Sequence, residues 1–381
     1  MYIWELPEWP HFRWNSDRLL PGLAKAHLKQ GRLLGRMERL GFDLQLDAEL
    51  QAITEEALKS SEIEGEILDP AGVRSSVARR LGVPDAAMHP EDKDRRAEGI
   101  VEMTLDATKN FAASLTRERL FAWQAALFPT GRSGLKPVKV GAWRDESSDP
   151  MQVLSGPHGR ERVHFEAPPA ARTETEMEAF LAWFNERPAS DGIVQAAVAH
   201  LWFVTIHPFE NGNGRVARAL ADMSLARSEN LAQRFYSLSG QIRRDRAEYY
   251  GSLESTQKGD LDITARLLWF TECFSRALDA AEQACRGVLR KADFWQRYTL
   301  SDLNERQRKV LNRYLDGFEG KLTARKWRAI AKCSIATAQR DIKELADRGL
   351  LIRNEGGSKN TSYDIADPDV ANIRAPIERP R

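Results

Sequence analysis

The chain has 381 residues, of which 42% are hydrophobic and 29% charged, with a formal net charge of +1. That length leaves room for two or three domains, and the composition is that of an ordinary globular protein. The near-neutral balance makes no whole-chain case for nucleic-acid or membrane binding, and no stretch reaches the roughly 18 uninterrupted apolar residues of a spanning helix.

The three cysteines, Cys273, Cys285 and Cys333, are odd in number and far apart, without a CxxC or histidine pattern. They read as reduced core thiols, not as a disulfide frame or a zinc site. The N-terminus lacks the basic start and apolar run of a signal peptide, so a cytoplasmic protein is expected.

In chain order, Trp4, Trp9, Phe12 and Trp14, broken by Pro7 and Pro10, predict an extended arm packed on the body. Helical patterns follow over 16–40, with Ser16 as the expected N-cap, over 47–61 and over 72–80. Gly65 is placed to end the second of these. The polar, proline-bearing stretch 84–94 marks the entry to a new domain. Helices are predicted over 98–110 and 116–127, the latter stopped by Phe128 and Pro129.

From 136 to 165 the period becomes alternating. Val138, Val140 and Trp143 lead into Met151–Leu154 and then Glu161–Phe165, around the glycine- and proline-bearing turn Ser155–Gly159, which predicts a hairpin. His158 and His164 in that hairpin read as packing or surface residues. An amphipathic helix is expected over 174–184, with Met177, Phe180, Leu181 and Phe184 on one face and Pro188 beyond its end. Ile193–Ile206 is apolar enough for a buried helix, with His200 as a satisfied core histidine.

That helix delivers His207, the first residue of His-Pro-Phe-Glu-Asn-Gly-Asn-Gly-Arg-Val-Ala-Arg, which ends at Arg218. Gly212 and Gly214 flank Asn213 in a tight turn, where the backbone can approach a ligand closely. A turn opening a helix presents free N–H groups and a positive dipole end, which suits a polyphosphate. Arg215 and Arg218, three apart, can reach one anion. His207 stands just outside as a general base. Downstream, 242–259 predicts a helix with Tyr250 and Gln257 two turns apart on one face, and 263–289 a long closing helix.

The His207–Arg218 segment resembles the motif of the Fic family, HxFx(D/E)GNGRxxR, matching at His207, Phe209, Gly212, Asn213, Gly214, Arg215 and Arg218. The resemblance implies transfer of AMP from ATP to a Ser, Thr or Tyr hydroxyl of a target protein, with His207 as the base. It also implies Mg²⁺ (or Mn²⁺) at the position of Asn211, where the family carries an acid; a neutral amide should hold the ion more weakly. By the same likeness Val153, Leu154, Ser155 and Gly156 belong to a flap that lies beside ATP and holds the target by strand pairing. Tyr250 and Gln257 would line the adenine pocket, with Tyr249 a rival for the tyrosine. Ser60-Ser61-Glu62-Ile63-Glu64-Gly65 resembles the family's inhibitory motif (S/T)xxxE(G/N), through Ser60, Glu64 and Gly65. A carboxylate there would pair with Arg218 and deny it to the γ-phosphate. Two rivals stay open: removal of AMP, with Glu64 orienting water, and a DNA-binding regulator with a degenerate nucleotide-sensing core.

After Lys291 the balance turns basic, with 14 Lys/Arg against 9 Asp/Glu in 301–365. Helices over 303–315, 323–331 and 334–348 are followed by a glycine-bearing loop over 353–363. This resembles a winged helix–turn–helix, with Thr337, Gln339 and Arg340 suited to base edges and Lys332, Lys343 and Lys359 to phosphates. DNA binding and protein docking or dimerisation are equal expectations for it. The overall expectation is a mainly α protein: an N-terminal helical domain over 1–90 with the inhibitory motif, a Fic-type catalytic core over 91–290 with a small β-hairpin flap, a winged helix over 300–368 and a tail over 369–381. A homodimer without membrane contact is expected.

Overall fold

A computed structural model describes residues 1–83, 94–156, 160–186, 191–286, 294–295, 303–315, 321–354 and 361–366. Residues 84–93 of the loop expected over 84–94, His158, Pro188 and the tail over 369–381 lie outside the described residues, as does the tip of the C-terminal loop with Lys359. Among the described residues the chain is mainly helical, with three small antiparallel sheets. It divides into two compact units, Met1–Gln283 and Ala284–Arg381. The N-terminal helices therefore pack as part of the same compact unit as the residues that follow them.

The N-terminal arm is pinned through its aromatic side chains. Trp4 Nε1 donates to the Glu166 carbonyl at 2.7 Å and Trp9 Nε1 to Glu176 at 2.8 Å, while Phe12 packs edge-on against Trp202. Helix α1 (Ser16–Glu38) is capped by Asn15, one residue before the expected Ser16, because the Asn15 side chain accepts the Arg18 N–H. Helix α2 (Phe42–Ile63) starts five residues before the predicted 47. Its first turn exposes Phe42 and buries little, so no apolar stripe announces it. Helices α3 (Pro70–Leu81), α4 (Arg95–Lys109) and α5 (Arg117–Leu127) each begin on a side-chain cap, at Asp69, Asp94 and Thr116.

The alternating stretch resolves differently from its pattern. A two-residue pair, β1 (Arg132–Ser133) with β2 (Lys136–Pro137), precedes a loop, and Val138, Val140 and Trp143 form no strand. Trp143 is instead a core side chain, its ring 5.0 Å from that of Phe209. The hairpin itself is β3 (Gln152–Ser155) paired with β4 (Arg162–Glu166). Helices α6 (Thr173–Glu186), α7 (Gly192–Ile206) and α8 (Asn213–Glu229) follow, and α7 against α8 forms the centre of the unit.

The single helix expected over 242–259 is two: α9 (Leu238–Arg244) and α10 (Arg246–Gln257), joined at Asp245. The Asp245 carboxylate accepts from Gln241 at 2.8 Å and Arg276 at 2.7 Å, which draws it out of helical register. Helix α2 is held to α9 by Glu56, whose carboxylate accepts from Ser237 Oγ and the Ser239 N–H. That buried cap fixes the end of α2 from which Ser60 and Glu64 project. Helix α11 (Thr264–Ala284) closes the unit.

The second unit contains α12 (Glu305–Leu315), β5 (Leu322–Thr323), α13 (Ala324–Ala331), α14 (Ile335–Asp347), β6 (Leu351–Arg353) and β7 (Ser362–Ile365). Its sheet has the order β5-β7-β6, and its core gathers Val310, Leu311, Trp327, Ile342 and Leu345.

Candidate active site

Helix α7 ends at His207, whose backbone takes left-handed angles (φ 54°, ψ 56°). Such angles are costly for a residue with a β-carbon and recur at functional turns. Two contacts hold the turn: Arg144 Nε donates to the His207 carbonyl at 2.8 Å and the Arg144 N–H to the Pro208 carbonyl at 2.9 Å. Arg144 is itself buried and paired with Asp149 at 2.7 Å. Sequence reading missed this arginine, which carries no motif of its own.

Beyond the turn, Asn213 closes a two-point staple: its Oδ1 accepts the Phe209 N–H at 2.9 Å and its Nδ2 donates to the Phe209 carbonyl at 2.7 Å. Phe209 is fully buried among Phe121, Trp143 and Phe203, so loop and core are one rigid piece. Gly212 (φ +92°) then turns the chain into α8. The N–H groups of the first helical turn have no intrahelical partner there.

His207 Nδ1 lies 3.1 Å from the Val204 carbonyl, which can only accept. The proton therefore sits on Nδ1 and leaves the Nε2 lone pair for a substrate. Burial pushes the imidazole pKa down to about 4, and Arg144 adds to the shift. A neutral imidazole at pH 7 is the form that can take a hydroxyl proton. His200, the other histidine of this helix, is a core residue as expected, with ring contacts to Tyr249 at 3.2 Å and Arg266 at 3.4 Å.

The start of α8 is covered by the end of α2. Arg218 is buried, and all three of its guanidinium nitrogens are engaged. Nε donates to Ser60 Oγ at 2.9 Å, Nη2 to the Ser60 carbonyl at 2.7 Å and Nη1 to Glu64 Oε1 at 2.9 Å. Burial opposes the guanidinium charge, and the Glu64 carboxylate together with Tyr249 and Tyr250 outweighs it, so the pKa stands above its ordinary value. Glu64 Oε1 also lies 2.2 Å from where a β-carbon on Gly214 would be. A carboxylate thus rests on the bare backbone of the helix N-terminus, a place suited to an anion. Gly65 (φ +81°) ends α2 and reverses the chain. Two residues past Glu64, Glu66 accepts from Arg215 Nη1 at 2.6 Å. Sequence reading did not single out Glu66, because no local pattern separates it from the other exposed carboxylates.

Asn211 does not make a charged cation site. Its Oδ1 accepts the Gly212 N–H at 2.7 Å and its Nδ2 donates to Ser133 Oγ at 3.0 Å. The neighbouring Glu210 carboxylate is occupied by the Lys139 N–H at 2.9 Å and Ser148 Oγ at 3.0 Å. Among the described residues no group of three or more His, Cys, Asp or Glu could hold a metal ion. The metal position expected at Asn211 therefore offers one neutral oxygen that is already bonded, and the residues present do not fit a resident divalent ion.

Tyr250 and Gln257 lie on α10 with different exposures. Tyr250 is partly exposed and its hydroxyl donates to the Ile63 carbonyl at 3.3 Å, beside the Glu64 turn. Gln257 is buried, and its amide donates to Thr205 Oγ1 at 3.2 Å, two residues before His207. Tyr249, the rival for the tyrosine position, is buried in the core. Between Tyr250 and Gln257, Glu254 ties the hairpin down. His164 Nδ1 lies 2.7 Å and Arg162 Nη2 2.9 Å from its carboxylate, and Ser155 Oγ lies 2.5 Å from His164 Nε2. Hydrogen bonds from Lys258, His164 and Arg162 hold Glu254 down at a pKa of about 2. His164 is thus a latch for the hairpin. Val153 and Leu154 stand on β3, with Leu154 exposed, and Gly156 (φ +105°) begins the turn.

The cysteines are free, with Cys273 and Cys285 buried and Cys333 half-buried. No helix among the described residues is long and apolar enough to cross a membrane.

Residues 114–225 match the Fic/DOC family, and residues 2–83 match a domain of unknown function, DUF4172. A protein adenylyltransferase Fic of Aedes aegypti is 27% identical over 239 residues, covering 61% of this chain and 42% of that relative. Protein adenylyltransferase fic-1 of Caenorhabditis briggsae is 41% identical over 81 residues, covering 21% of this chain and 15% of that relative. The chain spans less than half the length of either. A Fic family protein from Desulfovibrio desulfuricans has the same fold, with a TM-score of 0.53 at 19% identity over 91% of this chain and 96% of that one. Residues 114–225 are thus similar to the Fic/DOC family, and the matched stretches are similar to protein adenylyltransferases.

Proposed function

We propose that the chain transfers AMP from ATP to a hydroxyl on a target protein, and that Glu64 holds this activity off. The observation that carries the reading is the placement of Glu64 on Arg218 and Gly214. The hydroxyl oxygen attacks the α-phosphorus and its proton passes to His207 Nε2. The bond to the bridging oxygen of the β-phosphate breaks, and pyrophosphate leaves with that electron pair. The amides at the start of α8 and the two motif arginines hold the phosphates, so they act on charge that develops during transfer. With Glu64 in place, an ATP γ-phosphate meets a carboxylate where it needs a guanidinium. The hairpin's outer edges are unpaired among the described residues, which suits a target segment added as a strand. Tyr250 beside the Glu64 turn supports its role against adenine.

Removal of AMP is the second reading. Glu64 lies close enough to His207 to raise its pKa, so the same carboxylate could orient a water at the phosphodiester. Incubation with α-labelled ATP, comparing wild type with Glu64→Gly, separates the two. The transfer reading expects label on the chain or on added lysate proteins, strongly raised by the substitution. If no label appears in either protein and AMP release from a labelled substrate falls instead, removal is the activity.

A further inference from the structure

Residues 324–347 of the second unit carry six Lys/Arg and three Asp/Glu. Where these charges stand says more than their number. Asp341 is buried and bonded by Arg306 at 3.2 and 3.3 Å. Glu344 accepts from Gln307 at 3.1 Å and lies 3.9 Å from Arg348. Two of the three acids are therefore tied within the unit. Arg325, Arg328, Lys332, Arg340 and Lys343 are exposed and have no ion-pair partner among the described residues.

Helix α14 turns Ala338, Ile342 and Leu345 into the core. Its opposite face reads Ile335, Ala336, Gln339, Arg340 and Lys343, all exposed, with Asp347 the one acid that follows on the same face at the far end of the helix. Ile335 is 44% exposed at the head of that stripe. These are the side-chain types that read a major groove: apolar contact for a thymine methyl, an amide for adenine, a guanidinium for guanine, and cations for phosphates. The element order α12-β5-α13-α14-β6-β7, with sheet order β5-β7-β6, supports reading the unit as a winged helix. A protein-docking face would instead concentrate apolar area and shed charge at its centre.

We infer that this face of α14 binds double-stranded DNA in the major groove, with Ile335, Ala336, Gln339 and Arg340 at base edges and Lys343 and Lys332 on phosphates. The inference stands apart from the transfer chemistry and needs no nucleotide in the other unit.

The test is fluorescence anisotropy of the full chain with a labelled duplex pool carrying a randomised centre, titrated over salt. Wild type should bind with an affinity that falls steeply with salt. Lys332→Ala with Lys343→Ala should weaken binding and reduce the salt slope by about two, near 0.9 per lost phosphate contact. Gln339→Ala should leave the slope unchanged and relax the sequence enriched from the pool. These side chains are exposed, so unchanged circular dichroism is the expected folding control. The inference is overturned if wild type binds no duplex at low salt, or if Arg340→Glu with Lys343→Glu binds as wild type does. It is equally overturned if that charge reversal changes sedimentation while duplex affinity holds, which would make the face a protein interface.

Discussion

Glu66 accepts from Arg215 at 2.6 Å, two residues after Glu64 accepts from Arg218 at 2.9 Å. One reversal of the chain at Gly65 thus engages both Arg215 and Arg218. Arg215 is held further by the Phe128 ring, 4.9 Å beneath its guanidinium, and burial lowers its pKa. The two pairs are distinct in consequence. Glu64 covers the helix N-terminus itself, whereas Glu66 restrains the side chain of Arg215 and lies 3.6 Å from Arg96.

Glu64→Gly is therefore expected to raise self-labelling from α-labelled ATP by roughly ten- to a hundredfold, the worth of a charge-assisted pair of about 1.5–3 kcal/mol. Glu64→Gln should fall between, since it keeps shape and loses charge. Glu62→Gln should change little, because Glu62 faces Lys59 and Arg243 instead. Glu66→Gln should leave the block in place on its own and lower KM for ATP only when added to Glu64→Gly. Glu64→Gly with Arg218→Ala should be inactive. A flat response to Glu64→Gly with a rise in Glu62→Gln would shift the inhibitory register.

His207→Ala, in the Glu64→Gly background, should cost at least about a hundredfold in transfer while ATP affinity stays nearly constant, since the base acts only in the chemical step. ATP affinity by calorimetry and label by scintillation separate the two effects. Residual transfer within tenfold of the parent would remove His207 from the mechanism.

The pH profile carries its own sign. A base works when neutral, so activity is lost as pH falls through its pKa. With the His207 pKa down at about 4 in place of the ordinary 6.5, the acid limb of kcat/KM should lie well below pH 6. Glu64 raises that pKa, so Glu64→Gly cannot move the limb upward. A limb at about 6.5 in that variant would mean that the imidazole is not buried as described.

Asn211→Asp should place a charge where the chain has a neutral oxygen, and the Mg²⁺ concentration for half-maximal labelling should fall. Isothermal titration in the presence of a non-hydrolysable nucleotide gives the same reading without turnover. If neither moves, position 211 does not face the cation that accompanies the nucleotide.

Gly99→Ala tests the frame under the site. A β-carbon there would lie 1.8 Å from the Ala126 carbonyl oxygen, where α4 crosses α5. Backbone cannot yield as a side-chain tip can, so a loss of about 1–3 kcal/mol or more is expected, read as a lower Tm. An unchanged melting curve would contradict that crossing.

What was legible from the chain alone was what lies contiguous in it. The base, the turn glycines and two arginines sit within twelve residues, so His207, Gly212, Gly214, Arg215 and Arg218 could be read together. A continuous apolar run announced α7, which is buried nearly all round, and caps such as Thr116 announced α5. Helix α2 was mis-started because its first turn buries nothing that leaves a period, and the break at Asp245 was missed because Arg276, thirty-one residues away, draws it. Ser60, Glu64 and Gly65 were legible as a pattern, and the resemblance implied the pair with Arg218; what brings Glu64 to a partner 154 residues later is the docking of α2 on α8 and α9. The same packing chose Glu66 for Arg215, Arg144 for the His207 carbonyl and Glu254 for the hairpin. Charged side chains on a surface all look alike in a sequence, because their period is shared and their partners are not local. Only the packed backbone fixes which of them lie within hydrogen-bonding reach, and it is that reach, not the residue type, that sets Glu64 on Arg218.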